Sequence, residues 1–255
     1  MKPGSADDTT LTMVGERSAR PGAHPPASGS SSLRPQVVVF DVNETLSDMS
    51  GMADHFAAVG APSALAGTWF ASLLRDGFAL TVGGTNPDFA DLAATSLTGM
   101  LTTQGVDDVG QAVREVMQKF TSLPVHADVI DGVRTLAAAG IRLVTLSNGG
   151  TAVAEGLLER NGIADSFERL LSVQDAPTWK PARAAYVYAL EVCGVAAGDA
   201  MLVAVHPWDI HGGRQAGLRT AYVNREATPY PTFFDRADIE VTSLTDLATR
   251  LSLLD

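Results

Sequence analysis

The run Val37-Val38-Val39-Phe40 ending in Asp41 constrains the fold of this chain more than any other stretch. An apolar, mostly β-branched run of this length reads as a strand buried on both faces, and such strands belong to parallel sheets covered by helices. The aspartate then stands at the carboxyl edge of the strand, which is where open parallel sheets bind their ligands. A polar turn, Asn43-Glu44-Thr45, follows it. The question for the rest of the chain is which later segments can serve that carboxylate.

A chain of 255 residues is long enough for one large domain, or for a core carrying a smaller insertion. Residues 1–35 are rich in Ser, Pro, Gly and Ala and hold few large apolar residues, so they read as a disordered tail. No apolar stretch follows Met1-Lys2-Pro3, which argues against a secretory signal. Residues 50–122 hold no convincing strand. Ser63–Leu74, Asp88–Leu101 and Val109–Phe120 carry apolar residues at helical spacing, interrupted by Gly83, Gly84 and Pro87. From Asp131 the rhythm alternates. Helices are expected over Gly132–Ala139, Thr151–Asn161, Pro181–Cys193, Ile210–Ala216 and Leu244–Leu254. Strands are expected over Ile141–Leu146, Arg169–Ser172, Met201–Val205 and Arg219–Val223. Alternation of this kind predicts an α/β fold, a Rossmann-like parallel sheet flanked by helices. Residues 36–49 and 123–255 would form that core, and residues 50–122 an inserted helical cap.

Charge and cysteine content narrow the partners. With 18 basic and 29 acidic residues the net charge is −11, and no basic stripe is present, which argues against nucleic acid and anionic membranes. No run approaches the roughly 18–20 apolar residues of a membrane span. The single cysteine, Cys193, excludes an intrachain disulfide and fits a reducing compartment, so a cytoplasmic protein is expected. It is either a reactive thiol or, as its apolar neighbours Leu190, Val192 and Val195 favour, a core residue.

Three further strand ends are candidates to meet Asp41. Leu143–Leu146 stops at Ser147-Asn148-Gly149-Gly150, a turn that enters a helix and offers backbone N–H groups to an anion. The plainer reading is a Ser/Asn helix cap with permissive glycines. Trp179-Lys180-Pro181, with Tyr186 beyond it, places Lys180 just ahead of a helix that opens on a proline. Alone, such a lysine is an ordinary solvated loop residue. Met201–Val205 ends in His206, with Trp208 and Asp209 following, where Asp209 can equally be a helix cap and His206 a satisfied core residue. Each signal is weak alone; the order and spacing of all four are not.

In that order, Asp41-Val42-Asn43-Glu44-Thr45-Leu46, Ser147-Asn148, Lys180-Pro181 and Asp209 resemble the four motifs of the haloacid dehalogenase superfamily. The resemblance covers residues 36–250, including the cap inserted after the first motif. More narrowly, the chain resembles the type II 2-haloacid dehalogenase branch in Lys180-Pro181 with Tyr186, in Trp208-Asp209 followed by Gly212, and in Trp69 with Asp88-Phe89. The resemblance implies that Asp41 is a nucleophile, displacing halide from the carbon beside a carboxylate to leave an aspartyl ester that water then hydrolyses. A carboxylate gains nucleophilicity when partly desolvated and held in line with its target. Lys180 would neutralise Asp41 and keep it ionised, and Thr45 would orient it. Ser147, Asn148 and the turn amides would hold the substrate carboxylate or a developing oxyanion. Asp209 would position or deprotonate the hydrolytic water. Asn43, Phe70, Tyr186, His206 and Trp208 complete the expected substrate-binding set.

Where the chain departs from the family pattern is equally informative. Phosphatases of the superfamily carry a second aspartate two residues after the nucleophile, where Asn43 stands. An amide cannot hand a proton to a leaving alkoxide, whereas a halide needs none. The dehalogenase branch carries a tyrosine at that position, an arginine where Phe70 stands, and serine and asparagine where Ala204 and His206 stand. The missing arginine is the expected halide receiver, so Arg75 or His206 would have to take over. Phe70, Phe78, Trp208 and Trp69 would line an apolar pocket, or simply fill the cap. The expected function is hydrolytic dehalogenation of a small 2-haloalkanoic acid without cofactor. The alternatives are a Mg²⁺-dependent phosphatase or phosphonate hydrolase, with Asp41 and Asp209 as metal ligands, and a non-catalytic binding protein of the same fold. A homodimer is an expectation of the resemblance alone.

Overall fold

The computed structural model describes residue 1 and residues 34–253, so nearly all of the expected tail lies outside the described residues. Among the described residues six strands form one sheet: β1 (Val37–Phe40), β2 (Arg142–Ser147), β3 (Arg169–Ser172), β4 (Ala200–Ala204), β5 (Arg219–Val223) and β6 (Ile239–Val241). Their order is β3-β2-β1-β4-β5-β6 and every pairing is parallel. The chain builds outward from β1 to one side through β2 and β3, then returns to place β4 on the other side. β1 is therefore the switch point of the sheet, the place where crevices open in folds of this kind.

Alternation along β1 explains why both faces are covered. Val37 and Val39 pack with Val144, Leu146 and Leu202 on one face. Val38 and Phe40 pack with Leu143 and Val203 on the other. The second face is covered by α5 (Val129–Ala138), α6 (Thr151–Arg160) and α9 (Leu244–Ser252), the first by α7 (Arg183–Cys193); α8 (Pro207–Ala216) follows β4. The strand β6 was not expected: three residues with Glu240 at their centre give no periodic signal, and pairing to β5 alone defines it.

Between β1 and α5 the chain forms only helices: α1 (Met52–Ala58), α2 (Leu65–Val82), α3 (Phe89–Thr103) and α4 (Val109–Thr121). Asp88 and Asp108 cap α3 and α4 by accepting from the N–H groups of Asp91 and Gln111, each at 2.9 Å. Every fourth residue of α3, namely Phe89, Ala93, Leu97 and Leu101, is buried. Trp69 and Phe70 of α2 and Phe120 of α4 fill the same interior. The two strands of chain that join this insertion to the sheet run side by side, with Ser47 bridged antiparallel to Val125 and the Asp48 N–H donating to Pro124 O at 2.8 Å.

The Gly83–Pro87 break, an interruption in the sequence, is the seam where the insertion meets the sheet. The Asn86 amide donates to Val173 O and Ala176 O at 3.1 and 3.2 Å, and Trp179 Nε1 donates to Pro87 O at 2.9 Å. Gly77 of α2 lies against the Trp179 ring so closely that a Cβ there would stand 2.2 Å from a ring carbon. Gly77→Ala is therefore expected to cost about 1–3 kcal/mol, the scale of overpacking a filled interior. Chemical unfolding checks this, and an unchanged midpoint would refute the close approach.

Candidate active site

Asp41 continues β1 by one residue, its N–H donating to Val203 O at 3.0 Å. A tight turn follows, closed by the N–H groups of Leu46 and Ser47 donating to Val42 O. This turn swings Thr45 back over the strand end. Its hydroxyl donates to Asp41 Oδ2 at 2.7 Å and accepts from the Val205 N–H at 3.1 Å, which ties the turn to the end of β4. Glu44 occupies the left-handed region, with φ of 61°, a conformation that non-glycine residues adopt rarely and that clusters at functional sites. The turn is clamped from outside: His126 Nε2 bonds Glu44 O at 2.9 Å and the Arg225 guanidinium donates to Thr45 O at 2.8 Å.

Lys180 arrives from the loop before α7. Asn148 sets its backbone, accepting from the Lys180 N–H at 2.9 Å and donating to Lys180 O at 3.2 Å. The lysine side chain is 0% exposed and bridges two carboxylates, donating to Asp41 Oδ1 at 2.9 Å and Asp209 Oδ2 at 2.7 Å. Pro181 lies ahead of α7, with Ala182 as the N-cap, and so is not in the first helical turn as expected. A turn closed from Ala182 N–H to Trp179 O intervenes. Conversely α8 starts earlier than expected, at Pro207 with His206 as N-cap. That start puts Asp209 in the first turn, where the helix dipole favours a carboxylate. Tyr186 of α7 donates to Asp209 Oδ1 at 2.5 Å. Gly212 of α8 has no room for a side chain: a Cβ would stand 2.5 Å from the Tyr186 hydroxyl. That absence of a side chain is what lets α7 and α8 approach closely enough for the bond.

His206 completes the cluster. Its Nδ1 lies 3.1 Å from Asp41 Oδ2 and its Nε2 lies 2.8 Å from Glu44 Oε2. The Trp208 ring stacks on it with centroids 5.0 Å apart, and Phe78 from the helical insertion packs on Trp208, also at 5.0 Å.

These contacts set the ionisation. Burial alone would raise Asp41, but the Lys180 ammonium and His206 outweigh it and hold the carboxyl well below the usual carboxylate range. Burial would lower His206, yet its bonds to Asp41 and Glu44 lift it to about 9. Lys180 is likewise raised, because Asp209 and Asp41 outweigh its desolvation. Asp209 is raised by burial and by the neighbouring Asp41 charge, against the pull of Lys180. Burial and Asp209 push the Tyr186 hydroxyl well above its ordinary value, so it remains a donor. At neutral pH the cluster thus holds an anionic Asp41 between two cations.

The structure therefore brings Asp41, Thr45, Lys180, Asp209, Tyr186, His206 and Trp208 together. Asn148 and Tyr186, expected to contact substrate, hold Lys180 and Asp209 in place. Ser147 accepts from the Gly149 N–H at 2.9 Å, which leaves its own proton to donate. Asn43 and Phe89 reach the same turn: a Cβ on Gly149 would stand 3.8 Å from the Asn43 amide nitrogen and from the Phe89 ring. Phe70, only 4% exposed, packs on Phe120 inside the helical insertion. Arg75 does not supply the missing cation, since its side chain is 70% exposed and pairs with Asp76. Glu44 was not expected as a partner of His206; its left-handed backbone turns the side chain in a direction that no strand or helix period foretells.

All four carboxylate oxygens of Asp41 and Asp209 accept N–H or O–H bonds. Among the described residues no group of three or more His, Cys, Asp or Glu side chains is disposed to hold a metal. The Lys180 ammonium is the positive charge that Asp41 and Asp209 share.

Comparison with known proteins agrees with this architecture. The family model described as haloacid dehalogenase-like hydrolase matches residues 35–217. The chain is 27% identical over 193 residues to haloacetate dehalogenase H-2 of Moraxella sp. (strain B), covering 74% of this chain and 86% of that protein. It is 25% identical over 211 residues to (S)-2-haloacid dehalogenase 1 of Pseudomonas sp. (strain CBS-3), covering 82% and 93%. A crystal structure of a dehalogenase with an intermediate complex superposes with a TM-score of 0.80 at 26% identity, covering 85% of this chain and 97% of that one. With the matched residues spanning β1 to β4, the insertion and the buried Asp41–Lys180–Asp209 cluster, this chain belongs to the haloacid dehalogenase-like hydrolases.

Proposed function

We propose that this hydrolase cleaves the carbon–halogen bond of a small 2-haloalkanoic acid, with Asp41 as the nucleophile and without a metal cofactor. The observation that carries the reading is the state of Asp41: buried, ionised, and fixed at both oxygens by Lys180, Thr45 and His206. A carboxylate so held is stripped of the water that would blunt it and has little freedom left to lose on attack. In the first step an Asp41 oxygen forms a bond to the substrate carbon while the carbon–halogen pair departs as halide. In the second, water attacks the carbonyl carbon of the resulting ester and releases the hydroxy acid. Asn43 supports the choice of leaving group, because no proton donor stands two residues after the nucleophile and a halide requires none.

The remaining residues take roles consistent with their placement. Residues 50–122 act as a cap over the carboxyl edge of the sheet. Trp208 and Phe78 form an apolar wall, with His206 stacked on Trp208 and turned toward Asp41. Ser147, with its free hydroxyl proton, is the group of the β2–α6 turn that meets the substrate carboxylate. A homodimer is consistent with the family but no partner surface is assigned. No helix among the described residues is long and apolar enough to cross a membrane.

The test is halide release from fluoro-, chloro- and bromo-substituted acetate and propionate in the presence of EDTA. Release at undiminished rate is expected. Silence across the panel, with Mg²⁺-dependent phosphate release from phosphate esters, would overturn the reading.

A further inference from the structure

We propose that His206 and Thr45 together form the oxyanion site for hydrolysis of the Asp41 ester, and that Glu44 is the positioning residue that aims His206 at it. The proposal rests on the dehalogenase reading above and assigns the oxyanion of its second step, for which the family resemblance offered Ser147, Asn148 and the turn amides as an alternative to binding the substrate carboxylate.

Counting lone pairs decides which Asp41 oxygen does what. Oδ2 accepts from Thr45 Oγ1 at 2.7 Å and from His206 Nδ1 at 3.1 Å, so both of its in-plane lone pairs are used. Oδ1 accepts only the Lys180 ammonium among these bonds, which leaves one lone pair for attack. Oδ1 is then the atom that forms the bond to carbon as halide leaves with the bonding pair, and Oδ2 becomes the ester carbonyl oxygen. When water attacks Cγ, the carbonyl π pair moves onto Oδ2. The two donors that face it already lie in the 2.7–3.1 Å window that such a site requires. One water proton passes to Asp209. Collapse of the tetrahedral species expels the substrate oxygen, which takes that proton as the hydroxy acid, and the second proton leaves to solvent as Asp41 regains its carboxylate. Asn148 cannot share this work, because its amide is committed to the Lys180 backbone.

Glu44 matters because an imidazole has one proton too few for the geometry seen. Both ring nitrogens lie within hydrogen-bond distance of carboxylate oxygens, and satisfying both requires a proton on each. The charged groups in contact with the ring are Asp41 from the end of β1 and Glu44 from the following turn. Lys180 and Asp209 stand beyond Asp41, and His126 binds the Glu44 carbonyl. Glu44 alone is disposed to hold the ring with Nδ1–H toward Oδ2. Its side chain is 41% exposed at the wall of an open groove of about 880 Å³, so a glutamine is accommodated there.

The experiment separates the two chemical steps in the full-length enzyme acting on chloroacetate. Rapid-quench halide release and intact-protein mass are compared for wild type, His206→Gln and Glu44→Gln. For His206→Gln, a burst of one halide per enzyme is expected, followed by turnover slowed by roughly 10²–10³-fold, as when an oxyanion donor is lost. The ester should accumulate as a mass increase on Asp41. Because kcat/KM reports alkylation, kcat and KM are expected to fall together, a split that mere structural damage would not produce. Glu44→Gln should act in the same direction by a smaller factor. Loss of burst and steady state alike, with no adduct, would overturn the proposal. An adduct in His206→Gln with an unaltered Glu44→Gln would overturn the role of Glu44. If His206→Gln does not fold, Glu44→Gln alone decides, by adduct or its absence. Wild type that releases no halide would instead refute the dehalogenase reading itself.

Discussion

Asp41→Asn is expected to stop halide release while leaving the fold standing. The loss of turnover should be on the order of 10⁶-fold, the scale on which removal of a covalent nucleophile acts, because an amide oxygen is a poor nucleophile and gives no hydrolysable ester. Stability should change little for a reason visible in the charge balance. Asp41, Asp209 and Glu44 carry three negative charges, and Lys180 and His206 two positive ones. With Asp41 neutral, His206 is free to give up its proton, so one negative and one positive charge leave together, and Lys180 keeps Asp209 as its partner. The new amide can also be satisfied. Its oxygen can face Lys180, and its NH₂ can donate to an Nδ1 that has given up its proton and to the Thr45 oxygen, whose own hydroxyl proton must then turn away. His206 would then be neutral, with Nε2–H still donating to Glu44. The imidazole should therefore titrate below its wild-type value of about 9, since a bond to a carboxylate that raised it is gone. Halide assay, thermal melting and nitrogen-resolved NMR of the histidine check the three parts. Turnover near the wild-type rate would remove Asp41 from the nucleophile's role.

How far the sequence announced this arrangement depends on the physics behind each element. β1, β2 and β4 were legible because strands buried on both faces read as unbroken apolar runs, and each stops at a polar residue where the sheet ends. Thr45 and Lys180 could be tied to Asp41 only through resemblance, because their contacts cross 4 and 139 positions of chain. Asn148 and Tyr186 could be placed beside Asp41 from the sequence, but their contacts could not. Their residue types suit substrate contact equally well, and only the distances show the amide spent on Lys180 and the phenol on Asp209. Phe70 illustrates the opposite limit. Aromatic residues at helical spacing are interior residues unless a cavity intervenes, and the packing of α2 on α4 decides the matter. Glu44 is adjacent to everything important and still has no role readable from the sequence, because its side-chain direction follows from one positive φ angle rather than from any period.

Lys180→Met tests the electrostatic reading most severely. The substitution nearly conserves length and volume but removes the fully buried cation that joins Asp41 and Asp209. Breaking a buried ion pair on one side typically costs about 3–5 kcal/mol, because the partner charges stay behind without compensation. Here two carboxylates are left facing one another, and they cannot both ionise at that separation without penalty. Asp209, already raised by burial, is the one expected to take up a proton. The sign of the pH dependence follows. A carboxyl whose folded-state pKa is raised binds its proton more tightly folded than unfolded, so its contribution falls as pH rises from its ordinary value through the raised one. The deficit of Lys180→Met should thus be small near pH 4 and full at pH 8. Wild type shows the reverse tendency at Asp41, whose lowered pKa supplies stability above the ordinary carboxylate range and loses it on acidification. Adding Asp209→Asn to Lys180→Met should recover much of the loss at pH 8, since one of the two facing charges is gone. Denaturant unfolding at both pH values reads all of this. A deficit that is equal at pH 4 and pH 8 and untouched by the second substitution would assign Lys180 a packing role, and the charge account of the site would fall with it.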